Sequence, residues 1–298
     1  MKLRHTENEI YQDVNGTAGS SVVVYLGYHK TASKWIWQHL FRDHFPCRQV
    51  NLYQQSMDDI RAAVDSSTGP FMLRQRIENG SLGAQPPALA ETIDRNFPGA
   101  RVVLGIRSQR SMLASHYGQY VTNGGRMGFN KYLRETVKTK WHYHDVLAPL
   151  MEHFGARMLV YLFEDLREDS FALLCQLRDF IGEPAQGLSD DEVRQIAQIP
   201  PLNPQRNDLV IDTMLLLNRL RMRHEKNAII PEIRRPGHDH ILVEGADYLG
   251  RKHRERSGRP LRYRRYDDQG ILDETYAEGN RALSALLGRD LSQYGYPS

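Results

Sequence analysis

Residues 27–35, Gly-Tyr-His-Lys-Thr-Ala-Ser-Lys-Trp, gather ammonium groups at Lys30 and Lys34 and hydroxyls at Thr31 and Ser33 in one short polar stretch. Groups of these types bind phosphate-like anions: the ammonium offsets charge, while hydroxyls and backbone N–H groups donate hydrogen bonds. An apolar β-branched run at 22–26 precedes the stretch, and an amphipathic run opens at Trp35 and continues through Ile36, Leu40 and Phe41. Strand, polar loop and helix in that order place a helix N-terminus, with unpaired N–H groups and the positive dipole end, beside the loop. A further cation, Arg107, stands at the carboxyl end of a second apolar run, 101–106.

Other chemistry-bearing residues are less organised. His142 and His144 form a His-x-His pair with no third ligand in view, so no metal is expected. Cys47 and Cys175 lie far apart, without Cys-x-x-Cys or Cys/His spacing, and read as reduced buried thiols. The net charge of +3 and pI near 8.8 suit an anionic ligand without requiring one. The aromatic-plus-basic signatures of common nucleic-acid modules are missing, so nucleic acid is not an expected partner. The start of the chain is polar and of mixed charge, and no run approaches the ~20 apolar residues of a membrane span. No integral membrane segment and a cytoplasmic location are therefore expected, and the oligomeric state is left open.

The elements that must position these residues alternate. The nearly unbroken apolar run at 21–26 implies a strand buried on both faces, as in a parallel sheet. Further strands are expected near 49–53, 71–77, 101–106 and 158–163. Helices are expected near 34–43, 57–64, 88–96, 111–121, 130–137, 142–154, 170–181, 208–222 and 272–287. Strands separated by helices predict an α/β fold: a parallel sheet flanked by helices, with right-handed crossovers. Such sheets bind ligands at their carboxyl edge, where both 27–34 and Arg107 fall. With 298 residues, the reading is a flexible lead-in at 1–19 and one domain at 20–298. That domain divides into a core of about 20–185 and a helical C-terminal cap of about 186–298. Eight Arg or Lys residues within 251–265 form either a solvated basic face or a further anion contact.

Which anion sits in the loop can be narrowed. The P-loop of nucleoside triphosphatases reads GxxxxGK followed by Ser or Thr. Counted from Gly27, the sixth position here is Ala32, then Ser33, and Lys34 is followed by Trp35. The magnesium-binding hydroxyl is absent from its place, although Glu164 or Asp165 could be drawn in as a second, acidic element. A nucleotide kinase or triphosphatase remains the alternative reading.

Taken together, Lys30-Thr31-Ala32-Ser33-Lys34-Trp35 and the later run GIRSQRSMLASHYGQYV resemble the sulfotransferases that use 3′-phosphoadenosine 5′-phosphosulfate (PAPS). Those enzymes carry a Lys-Ser/Thr-Gly-Thr-Thr-Trp loop and, at the end of a later strand, an Arg with a Ser eight positions on, here Arg107 and Ser115. FGARMLVYLFEDLREDSFALLCQLRDFIGEP is similar to the family's late strand, its Glu-Asp-Leu turn and the following helix. NDLVIDTMLLLNRLR and NRALSALLGRDLSQYGYP are similar to its bacterial branch. The resemblance covers roughly 20–298 and implies a P-loop-like fold.

It further implies transfer of a sulfuryl group from PAPS directly, in line and without metal, to an acceptor hydroxyl, with carbohydrate or glycolipid fitting the bacterial likeness. Lys30 would stabilise charge on the departing oxygen, and Thr31, Ala32, Ser33 and Lys34 would hold the 5′-phosphosulfate. Arg107 and Ser115 would hold the 3′-phosphate. Trp35 would stack on adenine, or is a core tryptophan. For the general base, Glu78 in IENGSLG stands where bacterial relatives place a Glu, with His29 and His116 in reserve. The chain departs from its relatives at Ala32, where they have Gly, and at Lys34, where they have Thr. It also lacks the Lys-Thr-His segment and the late Arg-Lys-Gly motif of cytosolic members. A catalytically impaired nucleotide-binding protein on the same fold is the reading these departures would favour.

Overall fold

The first apolar run folds as β1 (Val22–Gly27), and its side chains divide between the two faces of a sheet. Val22, Val24 and Leu26 enter one core, while Val23 and Tyr25 enter the other. Burial on both faces is why the run does not alternate with polar residues. The structure, a computed structural model, describes residues 22–42, 44, 48–51, 57–66, 71–76, 86–182, 187–200, 208–220 and 270–298, with short pieces at 244–245, 248–249, 252–253 and 255–256. The lead-in at 1–19, Cys47, Glu78 and most of the basic run at 251–265 lie outside the described residues.

Four further strands, β2 (Arg48–Asn51), β3 (Phe71–Arg76), β4 (Arg101–Ile106) and β5 (Met158–Leu162), join β1 in a parallel sheet of order β2-β3-β1-β4-β5. From β1 the chain crosses to β2 on one side, and from β4 it crosses to β5 on the other. The crevice at this reversal opens between the carboxyl ends of β1 and β4.

One face of the sheet is covered by α1 (Ser33–Ile36), which continues as π-helical turns at Trp37–Arg42, and by α8 (Ser170–Ile181) and α9 (Asp190–Ala197). The other is covered by α2 (Met57–Asp65), α3 (Pro86–Asn96), α4 (Gln109–Thr122), α5 (Phe129–Val137), α6 (Tyr143–Phe154), α10 (Asp208–Leu220) and α11 (Ile271–Leu287). Leu272, Tyr276 and Leu283 of α11 lie in the same core as β1, so this part of the expected cap completes the layer over the sheet. Buried Gln109 and Asn280 exchange hydrogen bonds of 2.8 and 3.2 Å, tying α11 to the start of α4.

Two elements differ from expectation. Phe163, read as the end of a strand, begins α7 (Phe163–Glu168), a helix too short to show a period. Helix α9 is opened by Ser189, whose Oγ caps the Glu192 N–H while the Glu192 carboxylate accepts from the Ser189 N–H at 2.8 Å.

Candidate active site

At the carboxyl end of β1 the chain turns sharply into α1. Gly27 permits the turn: a Cβ there would lie 3.2 Å from Cβ of Ser33. Lys30 (φ 70°) and Ala32 (φ 58°, ψ 12°) both adopt left-handed conformations that L-residues avoid, at roughly 1–2 kcal/mol each. Ala32 is followed directly by the right-handed turn of α1. Left-handed and right-handed residues in succession point neighbouring N–H groups the same way, giving a concave anion nest. Ala32 thus occupies a position suited to Gly, and strain is retained where the chain surrounds it with restraints.

The restraints are specific. The Thr31 hydroxyl donates to the Tyr28 carbonyl at 2.9 Å, and buried Thr31 shapes the loop from within. Tyr161 of β5 donates to the Thr31 carbonyl at 3.0 Å, and its oxygen is 2.7 Å from that of Tyr25. Tyr161 can reach the loop because its register partner on β4 is Gly105, over which the ring lies. Both phenols are fully buried, and burial pushes their pKa up, Tyr161 to about 12, so they remain protonated donors.

The fourth restraint is Arg107, which follows β4 and is 8% exposed. Its Nη1 donates to the Lys30 carbonyl at 3.0 Å, and its Nε donates to Ser111 Oγ at 2.7 Å. The guanidinium lies 4.1 Å from the centre of the Phe163 ring. Nη2 has no hydrogen-bond partner among the described residues. Burial lowers the Arg107 pKa to about 10, with the Glu164 carboxylate opposing the shift, so the cation persists at neutral pH. Glu164 Oε1 accepts from the Ser108 N–H at 3.1 Å, and Oε2 lies 3.4 Å from the Tyr296 hydroxyl. Burial raises the Glu164 pKa against these hydrogen bonds and the Arg107 charge.

The remaining expected residues fall as follows. Lys34 is exposed on the first turn of α1, and Ser33 is partly exposed beside Gly27. Trp35 is 7% exposed and its indole N–H donates to the Pro200 carbonyl at 3.2 Å, which favours the core reading over stacking. Ser115 lies one turn beyond Ser111 on α4 and is partly exposed. His29 and His116 meet edge to face with centroids 6.1 Å apart, and His116 packs 5.2 Å from Trp141. Trp141 has φ 63°, so the non-glycine left-handed residues among those described cluster around the loop and this histidine pair. His142 Nε2 lies 3.0 Å from the Val137 carbonyl and His144 faces Asp145, so the His-x-His spacing builds no shared site. Among the described residues no group of three His, Cys, Asp or Glu could hold a metal, and Cys175 is a free, partly buried thiol.

The sequence reading missed Ser111 and the Tyr25–Tyr161 pair, and named Glu164 only as an acidic element for the triphosphatase alternative, not as a neighbour of Arg107. Glu164 follows a third strand end on the same sheet edge, and that position was a usable signal. Its neighbour Asp165 holds Arg289 through two bonds of 2.7 and 2.8 Å and accepts from the Leu162 N–H at 3.2 Å. Both candidates for an acidic second element are therefore engaged in hydrogen bonds within the protein.

No protein-family model and no curated protein matches the chain. Solved structures do. The mouse sulfotransferase SULT7A1 complexed with PAP superposes with a TM-score of 0.51 at 12% identity, covering 90% of this chain and 88% of that one. A sulfotransferase from Alicyclobacillus acidocaldarius superposes with a TM-score of 0.50 at 14% identity, covering 93% and 99%. The agreement spans nearly the whole length of each protein: the chain has the fold of these sulfotransferases.

Proposed function

We propose that this protein is a sulfotransferase that moves the sulfuryl group of PAPS to an acceptor hydroxyl, releasing adenosine 3′,5′-bisphosphate (PAP). The observation that carries the reading is the pairing of Arg107 with the loop. A second cation with free Nη2 donors stands one hydrogen bond from the Lys30 carbonyl, beside an N–H nest built for the first anion. Two adjoining anion sites suit a nucleotide phosphorylated at both 3′ and 5′ positions. The mouse relative's complex with PAP supports the same assignment.

In this reading the nest at Lys30–Ser33, the Ser33 hydroxyl and Lys34 hold the 5′-phosphosulfate, with Thr31 fixing the loop from inside. Arg107, through a planar fork suited to phosphate, and Ser115 hold the 3′-phosphate. The acceptor oxygen attacks sulfur as the bond from sulfur to the bridging oxygen breaks. The Lys30 ammonium stabilises the negative charge that develops on that oxygen. The acceptor's proton passes to a general base, assigned first to Glu78, outside the described residues, and then to His29 or His116 at the crevice. No step calls for a metal. A carbohydrate or glycolipid hydroxyl is the proposed acceptor, resting on the likeness of 207–221 and 280–297 to the bacterial branch.

The test follows PAP release from PAPS over a panel of glycan, glycolipid and phenolic acceptors without added magnesium. Acceptor-dependent release by the wild type, lost in Lys30→Ala, is expected. Nucleotide binding with no transfer to any acceptor would instead identify a binding protein on this fold.

A further inference from the structure

Glu164 has no part in the reaction as described, yet it sits behind the residue that reads the donor. It opens α7 at the carboxyl end of β5, next to Phe163, over which the Arg107 guanidinium lies. Its Oε1 accepts from the Ser108 N–H at 3.1 Å and lies 3.5 Å from Ser111 Oγ. Its Oε2 faces the Tyr296 hydroxyl at 3.4 Å, in a segment fixed by the Asn280 bond of 2.8 Å to the Pro297 carbonyl. Ser108 Oγ is 2.9 Å from Ser111 Oγ, and Ser111 Oγ accepts from Arg107 Nε. Every contact of this carboxylate therefore converges on the turn that carries Arg107, or on the tail that closes behind it.

We propose that Glu164 is a positioning residue for the 3′-phosphate: by holding the Ser108–Ser111 turn it fixes Ser111 as the acceptor for Arg107 Nε and leaves Nη2 for the ligand. This rests on the assignment of Arg107 to the 3′-phosphate. The indirectness is the informative part. No direct ion pair joins Glu164 to Arg107, although both are described. A carboxylate paired fork to fork with the guanidinium would take up the terminal N–H groups that a phosphate needs. With Ser111 between them, Glu164 offsets the buried charge and orients the group while the phosphate-facing donors stay available. Tyr296 and Asn280 make the segment at 294–297 a participant in this arrangement, so residues far from the loop in sequence act on donor recognition.

The test measures dissociation constants for PAP and for adenosine 5′-monophosphate by titration calorimetry on the full chain. The variants are Glu164→Ala, Glu164→Gln, Ser111→Ala and the double Glu164→Ala/Ser111→Ala. Glu164→Ala should weaken PAP about tenfold, as loss of a hydrogen-bonded charged group does, and the monophosphate less than about twofold. Glu164→Gln retains an acceptor for Ser108 and should keep the preference for PAP. The double variant should be no weaker than the weaker single one, because both act through one contact. Equal weakening of both nucleotides, or additive losses in the double variant, would overturn the proposal. If Glu164→Ala does not fold, Ser111→Ala decides: a PAP-selective loss supports the relay and an unselective one overturns it. A wild type without preference for PAP would instead overturn the two-phosphate reading beneath it.

Discussion

Gly105→Ala offers a severe test of how the loop is held. A Cβ at position 105 would lie 2.2 Å from Cζ, 2.3 Å from the hydroxyl oxygen and 2.7 Å from Cε1 of Tyr161, where ordinary contact begins near 3.4 Å. The obstacle is a ring fixed in a full core, so the ring must swing away. It would then abandon the Thr31 carbonyl and the Tyr25 hydroxyl, both buried. Leaving two buried polar groups unpaired costs about 1–3 kcal/mol each, so a destabilisation of about 4 kcal/mol is expected. Against a typical total of about 5–15 kcal/mol that is a large fraction. Equilibrium urea denaturation reads it as a lower midpoint at unchanged slope. Tyr161→Ala, which removes the ring, should make the second change nearly harmless, so that the double variant is at least about 2 kcal/mol more stable than additivity predicts. A Gly105→Ala protein within about 0.5 kcal/mol of wild type, or an additive cycle, would refute the placement of Tyr161 across β4.

Other outcomes follow from the same geometry. Ala32→Gly relieves a left-handed alanine, about 1–2 kcal/mol, against the usual glycine penalty of about 0.5–1 kcal/mol; thermal denaturation should find it neutral to about 1 kcal/mol more stable, and a loss of 1 kcal/mol or more would contradict the loop conformation. Lys30→Ala should lower kcat about 10²–10³-fold, or about 3–4 kcal/mol in the barrier, with a smaller effect on PAP affinity; steady-state kinetics showing only a raised KM would remove its role at the departing oxygen. At Asp94, burial raises the pKa, but the Arg157 hydrogen bond and charge and those of His153 outweigh it and bring the carboxyl below its ordinary 3.8. The stabilisation is thus present above that value and lost as pH falls through the lowered one, so Asp94→Asn should be less stable than wild type at pH 7, with the gap closing in acid. A gap constant with pH in urea titrations would mean the ion pairs contribute nothing.

Much of this architecture was legible because its elements are bounded by breakers and filled by periodic apolar residues. Strand β4 begins after Pro98-Gly99, and α8 ends at Gly182 with Leu173, Leu174, Leu177 and Ile181 buried on one face. The loop and Arg107 were legible as well, since both follow apolar strands and therefore share one sheet edge. Helix α7 was hidden because Phe163 continues the apolar run of β5. The acidic turn of α9 carried a readable Ser-x-x-Glu cap, but Val193 and Ile196 are the only residues it buries. What supports the loop was not legible. The Tyr25–Tyr161 contact joins residues 136 positions apart and depends on strand register and on an empty position at Gly105. The left-handed backbone at Lys30, Ala32 and Trp141 is set by surrounding contacts, and none of these residue types announces it.

The central claim, that one nucleotide bridges the loop and Arg107, is tested most directly by thermal-shift titration of wild type and Arg107→Ala. The ligands are PAP, adenosine 5′-monophosphate and magnesium-ATP. The account predicts that PAP stabilises the wild type without magnesium and more than the monophosphate does, and that Arg107→Ala erases that difference while leaving the monophosphate response nearly intact. Stabilisation by magnesium-ATP alone, or an Arg107→Ala loss equal for both adenosine nucleotides, would contradict it.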